Sequence, residues 1–264
     1  MRLKMFRVDA FTDQVFRGNP AAVVPLKTWL ADDVMQDIAM ENNLPETAFF
    51  VAEGKAYGLR WFTPVAEVPL CGHATLAAAF VILTLLHPGR RSVSFRIQNG
   101  TLQVARKGGL LTMDFPRYEP MDCDEPAGLA EGLGIRPAEV WKTREDSNYY
   151  AIFESADAVR SMAPNLEILK RLHPHQTSVS ASGEAEDFVS RFFAPGIGIP
   201  EDPVTGSMHC ALIPYWAQRL GKAKLMARQV SRRGGDLLCE DVPAEGRVHI
   251  SGRAALSLTG WIHI

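Results

Sequence analysis

One short pattern occurs twice in this chain of 264 residues, once in each half. The first copy is Arg-Trp-Phe-Thr-Pro at residues 60–64, followed by Cys-Gly-His-Ala-Thr at residues 71–75. The second copy is Arg-Phe-Phe-Ala-Pro at residues 191–195, followed by Asp-Pro-Val-Thr-Gly-Ser at residues 202–207. In each copy a strand-like segment leads to a glycine, after which an apolar helical pattern begins. The repeat predicts two related half-structures, each with a helix that begins near the glycine.

The order of the predicted elements indicates an α+β fold. Short strands surround one strongly apolar helix over residues 74–86, and the second half repeats this order without the alternating units of a parallel sheet. We expect two pseudo-symmetric halves, each a curled, mostly antiparallel sheet around a central helix. A polar, proline-containing segment at residues 116–126 favours a boundary there. The predicted halves are residues 1–116 and 117–264, with the last strand free to pack back on the first half, and the functional site is expected in the cleft between them.

Composition favours a soluble protein with small-molecule partners. The net charge of −2 gives no long-range field that would recruit nucleic acid or an anionic membrane. Residues 1–10 alternate charged and apolar side chains, which is typical of a strand and not of a signal peptide. The apolar stretch at residues 74–86 is shorter than the roughly 20 residues that cross a bilayer. We therefore expect a cytoplasmic protein without nucleic-acid or membrane partners.

Neither a metal nor an organic cofactor is expected. The four cysteines are dispersed, without the paired spacing of a zinc site or the density of a disulfide scaffold. The close histidine pair at residues 173 and 175 is interrupted by a proline, which makes it a poor metal site. Fingerprints for dinucleotides, nucleotide phosphates and the serine nucleophile of hydrolases are missing from the sequence.

The two helix starts are candidate anion sites. The first backbone amides of a helix have no intrahelical partner, so a carboxylate or phosphate binds there. On the first helix, Gly72 lets a ligand approach closely and His73 lies in the first turn, where the helix dipole favours a neutral ring. On the second helix, Thr205, Gly206 and Ser207 supply the matching element, with Ser207 as a cap or a ligand donor. The alternative for each residue is a purely local role at the start of a helix.

Two carboxylates are candidates for proton chemistry. Glu46 follows a rigid proline and precedes an apolar strand, so it is expected to be partly withdrawn from water, as suits a general base. Asp202 lies just before the second helix, where the dipole stabilises a carboxylate. The alternatives are an exposed glutamate at a helix-to-strand junction and an ordinary charge at a helix start.

Cys71 supports a different hypothesis. It precedes Gly72 at a helix start, an environment that lowers the pKa of a thiol. Two thiols that face each other would suggest a cofactor-free racemase, but Cys210 lies well beyond Gly206 and is not equivalent to Cys71 in the repeat. A buried structural cysteine is the alternative for each position.

Four motifs taken together resemble the phenazine biosynthesis PhzF family. They are Gly-Asn-Pro-Ala-Ala-Val at residues 18–23, Asn-Leu-Pro-Glu-Thr-Ala-Phe at 43–49, Cys-Gly-His-Ala-Thr-Leu-Ala at 71–77 and Glu-Asp-Pro-Val-Thr-Gly-Ser at 201–207. The resemblance extends over nearly the whole chain. It implies a fold like that of diaminopimelate epimerase, with two pseudo-symmetric halves, and a homodimer.

The same resemblance implies roles for individual residues. Glu46 matches the catalytic acid/base of the family, and His73 and Asp202 match the polar groups that complete proton transfer. Residues that match substrate-binding positions are Gly72, Ser207 and the Gly206 backbone, and we group Thr205 and Cys71 with them. The thiol of Cys71 departs from the phenazine enzyme and matches the related epimerases, which carry a second cysteine near the position of Asp202.

The sequence therefore predicts a cofactor-independent isomerase that moves a proton within a small carboxylate-bearing substrate, with Glu46 as acid/base. Two alternatives stay open at this point: a thiol-dependent racemase or epimerase of amino or hydroxy acids that uses Cys71, and a non-catalytic protein that binds small acids.

Overall fold

A computed structural model describes residues 1–98, 100–146 and 148–264 of the chain. Two compact units are formed: Met1–Asp114 together with Ser251–Ile264, and Phe115–Ile250. Asn99, the first residue of a turn that the sequence predicts at residues 99–100, lies outside the described residues. Within the described part of the chain, we find no helix that is both long and apolar enough to cross a membrane.

The first unit consists mainly of strands. In chain order its elements are β1 (Arg2–Ala10), β2 (Asn19–Leu26), α1 (Asp32–Asn42), β3 (Glu46–Glu53), β4 (Ala56–Phe62), β5 (Glu67–Val68), α2 (Gly72–Phe80), β6 (Ser92–Ile97), β7 (Gly100–Lys107) and β8 (Leu110–Pro116). β1 pairs antiparallel with β2, and β2 pairs parallel with β3. The β2–β3 connection runs through α1 because parallel neighbours need a crossover. β3 and β4 form a hairpin, β4 pairs parallel with β6, and β6, β7 and β8 continue antiparallel.

The second unit repeats this pattern of pairing. Its elements are β9 (Met121–Asp122), α3 (Leu129–Leu133), β10 (Glu139–Lys142), β11 (Tyr149–Phe153), α4 (Ala156–Ser161), α5 (Leu166–Leu169), β12 (Thr177–Ser182), β13 (Phe188–Phe193), α6 (Gly206–Leu220), β14 (Lys224–Gln229), β15 (Gly235–Val242) and β16 (Arg247–Gly252). β10 and β11 are antiparallel, β11 and β12 parallel, β12 and β13 antiparallel, and β13 and β14 parallel. The final strand of the chain, β17 (Ala254–His263), belongs to the first unit and pairs with β1.

Strand register shows that the repeat is structural. Thr47 of β3 lies opposite Phe62 of β4, and Thr177 of β12 lies opposite Phe193 of β13. Both phenylalanines are the third residue of the repeated Arg-aromatic-Phe pattern. The two motif helices begin where the sequence predicts, α2 at Gly72 and α6 at Gly206. The predicted α+β architecture of two related, mostly antiparallel halves is confirmed.

The apolar motif helix is the centre of the first unit. Residues 73–79 of α2 are all buried, and α2 contacts β1, β2 and β3. Most of these side chains are alanines, which let the helix approach the strands closely. The predicted helix over residues 74–86 changes geometry after Phe80, because Val81–Leu86 form a π-helical segment.

A second layer of the first unit is formed by α1. Its buried residues Met35, Ile38 and Ala39 pack in one cluster with Phe49 and Phe62. In the second unit, α6 is buried along most of its length and contacts β14 and β15. Short 3-10 segments complete the fold at Lys170–Leu172, Pro195–Ile197 and Pro243–Glu245.

Candidate functional site

The start of α2 presents backbone donors without a capping side chain. Cys71 is the N-cap residue and its side chain does not cap the helix. Its carbonyl oxygen accepts from the amide and the hydroxyl of Thr75. Gly72 is the first helical residue and is half-buried. The first amides of α2 thus remain available to an anion, as the sequence predicts for this position.

Glu46 and His73 meet in the first unit. Glu46 is the first residue of β3, opposite Ala21 of β2, and its side chain is 12% exposed. His73 lies in the first turn of α2, with its side chain 5% exposed. His73 Nε2 and Glu46 Oε2 are 3.0 Å apart, and neither atom has a different hydrogen-bond partner in the described part of the chain.

The other ring nitrogen of His73 faces two further side chains. Asn19 Nδ2 lies 3.1 Å from His73 Nδ1, and Cys71 Sγ lies 3.5 Å from the same atom. We call Asn19, Glu46, Cys71 and His73 the Glu46 cluster. Asn19 belongs to the Gly-Asn-Pro motif at residues 18–20. That motif contributes to the family resemblance, but the sequence predicts no function for Asn19 itself.

Burial determines the pKa of the Cys71 thiol in this cluster. It raises the pKa of Cys71 to about 11, and the negative charge of Glu46 acts in the same direction. The expectation that a helix start lowers the pKa of this thiol is therefore wrong, because loss of solvation outweighs the dipole. Cys71 is a protonated thiol at neutral pH.

The charge of Glu46 also affects the pKa of the His73 ring. Burial alone lowers the pKa of His73, but the charges that Cys71 and Glu46 carry when ionised raise it well above its ordinary value. Since the Cys71 thiol is protonated at neutral pH, the negative charge that raises the pKa of His73 at that pH is the carboxylate of Glu46. The expectation that the helix dipole keeps this ring neutral overlooked a carboxylate 3.0 Å away.

The donor types in the cluster also suit a metal ion. One ligand atom each from Glu46, Cys71 and His73 lie within 4.8 Å of one another. Zinc binds carboxylate, thiolate and imidazole ligands of this kind. In this structure both ring nitrogens of His73 already face protein side chains, and the expectation of a protein without a metal stays a prediction.

The start of α6 carries the second group of predicted residues. Thr205 is the N-cap residue of α6, and its hydroxyl donates to Asp202 Oδ2. Gln229, at the end of β14, accepts from the Thr205 amide through Oε1 at 2.7 Å and donates to the Asp202 carbonyl through Nε2 at 2.7 Å. The side chain that fixes the loop before α6 is therefore Gln229, for which the sequence offers no signal.

The remaining predicted residues also lie at this helix start. Gly206 is the first residue of α6 and is buried, whereas Ser207 follows it and is exposed. Ser207 is not the cap of the helix, since Thr205 holds that position. Cys210 and His209 are buried one turn further along. The structure thus brings Glu46, Cys71 and His73 together in the first unit, and Asp202 and Thr205 together in the second.

Comparisons with known proteins cover the whole chain. A family model described as phenazine biosynthesis-like protein, PhzC-PhzF, matches residues 8–260. A protein of Pseudomonas aeruginosa named as an uncharacterized isomerase is 50% identical over 264 residues, which is 100% of each chain.

Solved structures agree with the fold. The crystal structure of a phenazine biosynthesis protein of the PhzF family from Enterococcus faecalis matches with a TM-score of 0.95 and 43% identity, and covers 100% of both chains. A predicted epimerase from Pseudomonas aeruginosa matches with a TM-score of 0.76 and 21% identity, over 99% of each chain. The second match concerns the fold alone, and it agrees with the predicted diaminopimelate epimerase-like architecture.

Proposed function

Because the chain belongs to the phenazine biosynthesis-like PhzC-PhzF family, we propose that it moves a proton within a small carboxylate-bearing substrate without a cofactor, with Glu46 as acid/base. That it is an isomerase agrees with the names of its relatives. What we propose beyond this is the class of substrate and the path of the proton. The observation that carries it is the 3.0 Å contact between Glu46 Oε2 and His73 Nε2 in a nearly buried setting.

The proposed reaction conserves all atoms. Glu46 removes a proton from a carbon that is activated by an adjacent carbonyl or double bond, and the C–H electron pair moves into that unsaturated group. The protonated Glu46 then returns the proton to a different carbon on the same face of the substrate. No electron acceptor or leaving group is needed, since the product is an isomer of the substrate. A positioned acid/base of this kind contributes typically about 10²–10⁴-fold to a rate.

Neighbouring groups support this role of Glu46. His73 Nε2 fixes one carboxylate oxygen of Glu46, and the carboxylate of the substrate binds the first amides of α2 at Gly72. The assignment of Asp202 to proton transfer rests on the family resemblance and stays a prediction. So does the assignment of Thr205, Gly206 and Ser207 to substrate binding.

The raised pKa of Cys71 argues against the thiol hypothesis. A racemase of that type needs a thiolate as base, and a thiol with a pKa of about 11 is almost wholly protonated at neutral pH. We also propose a homodimer, as the family resemblance implies, which analytical ultracentrifugation of the purified chain would test.

Solvent exchange tests the proposed chemistry. Carboxylated metabolites are incubated with the protein in deuterium oxide, and NMR follows deuterium that enters at carbon. We expect exchange in at least one unsaturated or carbonyl-containing acid, and loss of that exchange in Glu46→Gln, which keeps the shape but not the base. Glu41→Gln, an exposed position on α1, is the matched control and should exchange normally.

Two outcomes would contradict the proposal. Exchange that persists in Glu46→Gln at the wild-type rate would remove Glu46 from the chemistry. Saturable binding of a carboxylate without exchange at any carbon would instead indicate a non-catalytic binding protein.

A further inference from the structure

Asn19 and Glu46 contact different ring nitrogens of His73. Its side-chain nitrogen Nδ2 lies 3.1 Å from His73 Nδ1, while His73 Nε2 lies 3.0 Å from Glu46 Oε2. Asn19 is fully buried, and His73 is nearly so. The imidazole is therefore held between an amide on one side and a carboxylate on the other.

The chemistry of the amide decides where the ring proton lies. An amide nitrogen carries two N–H donors and accepts no hydrogen bond, whereas each imidazole nitrogen either donates or accepts. A proton on Nδ1 of His73 would place two N–H groups against each other at 3.1 Å. Nδ1 must then accept, and a neutral ring carries its single proton on Nε2.

We propose that Asn19 is a positioning residue for the reaction: its amide N–H holds the ring proton of His73 on Nε2, where that proton faces the carboxylate of Glu46. The inference rests on the proposed function insofar as Glu46 is the acid/base. The placement of the proton itself is independent of any substrate.

The backbone places Asn19 here through an unusual turn. Gly18 has a φ of +60°, and a Cβ atom at that position would lie 2.1 Å from the carbonyl oxygen of Ala10. A glycine is therefore required where the chain enters β2. Asn19 then pairs with Ala10 in the β1–β2 ladder. These contacts give a physical reason for the glycine and the asparagine of the Gly-Asn-Pro motif.

Asn19 also limits the charge of the ring. Two titratable groups face His73, Glu46 from β3 and Cys71 from the residue before α2. The negative charge of Glu46, and that of Cys71 when it is ionised, favour a second proton on the ring. The amide N–H of Asn19 opposes that second proton, because it would occupy Nδ1. When the ring is neutral, Glu46 has no full ion pair, and its carboxylate is free to act as a base.

Histidine NMR of the intact wild-type protein is the first test. The chain contains seven histidines, and with ¹⁵N-labelled histidine the signals of His73 are those that disappear in His73→Gln. With the pH raised until the ring is neutral, we expect the remaining proton on Nε2 and an unprotonated Nδ1. A neutral ring with its proton on Nδ1 would overturn the proposal without the use of any Asn19 variant.

Asn19→Asp is the second test, since it keeps the shape and reverses the hydrogen bond. A carboxylate accepts from Nδ1–H, so both ring nitrogens should be protonated, and the ring pKa should rise by about one to three units, as is typical beside an opposite charge. Asn42→Ala is the matched control, because Asn42 donates to Thr47 and not to His73. An unchanged His73 titration in a folded Asn19→Asp protein would contradict the proposal.

Kinetics separate this inference from the proposed function. With a substrate from the exchange screen, the acidic limb of the kcat/KM profile should move to higher pH in Asn19→Asp and stay in place in Asn42→Ala. If the NMR shows the expected proton on Nε2 while Glu46→Gln keeps wild-type exchange, the proposed function fails and the proton placement stands. If Glu46→Gln loses exchange but the proton lies on Nδ1, the function stands and the role of Asn19 fails.

Discussion

Arg191 and Glu201 form a two-point ion pair just before the start of α6, with Nε 2.7 Å from Oε1 and Nη2 3.1 Å from Oε2. The first copy of the repeated motif contains the same pair. Arg60 donates to both carboxylate oxygens of Glu67, at 2.7 Å each, before the start of α2. The arginine of the repeated motif thus holds a glutamate of the segment that leads to each helix start, which gives a structural reason for its presence in both copies.

Removal of the two arginines should have unequal effects on stability. Arg191 also donates to the carbonyls of Met162 and Val159, and its side chain is 11% exposed against 25% for Arg60. We expect Arg191→Met to lower the free energy of unfolding by about 3 kcal/mol, since it leaves a largely desolvated carboxylate and carbonyls without donors. Arg60→Met should cost about 1 kcal/mol or less. Urea unfolding followed by circular dichroism measures both, and equal losses would contradict the interpretation.

Replacement of the Cys71 thiol should leave proton transfer largely intact. A thiol with a pKa of about 11 is not a base at neutral pH, and serine keeps a small polar group beside His73. We expect Cys71→Ser to retain solvent deuterium exchange within about tenfold of wild type, a change of about 1.4 kcal/mol or less in the barrier. The same NMR assay measures it. Complete loss of exchange in a folded Cys71→Ser protein would instead favour the hypothesis of a thiol-dependent racemase.

The starts of both motif helices could be predicted from the sequence because the signals are local. A glycine after a strand and a loop, followed by apolar helical spacing, predicts where a helix begins, and α2 and α6 begin at Gly72 and Gly206. The α+β order of elements could be predicted for the same reason. Each element depends mainly on the pattern of residues within it.

Contacts within the candidate site could not be predicted in the same way. Glu46 and His73 are distant in the sequence, and their contact depends on the packing of α2 against β3. The sequence predicts the wrong direction for the Cys71 pKa shift, because burial is a property of the folded unit. Gln229 is a single glutamine at the end of a strand, and no pattern around it indicates that it holds Thr205.

The buried ring of His209 should make the stability of the protein depend on pH. Burial lowers its pKa from 6.5 to about 4, while Nδ1 faces the carbonyl of Thr205 at 2.7 Å. Between these two pH values the unfolded state binds a proton that the folded state does not, so stability is complete above pH 6.5 and declines as the pH falls toward 4. The decline from this group is about 3 kcal/mol, at about 1.4 kcal/mol per pKa unit. Urea unfolding at several pH values should show a shallower decline in the free energy of unfolding for His209→Gln than for wild type. His87→Gln, at an exposed position, is the control and should follow wild type. An unchanged slope in His209→Gln would show that this ring does not control the acid sensitivity.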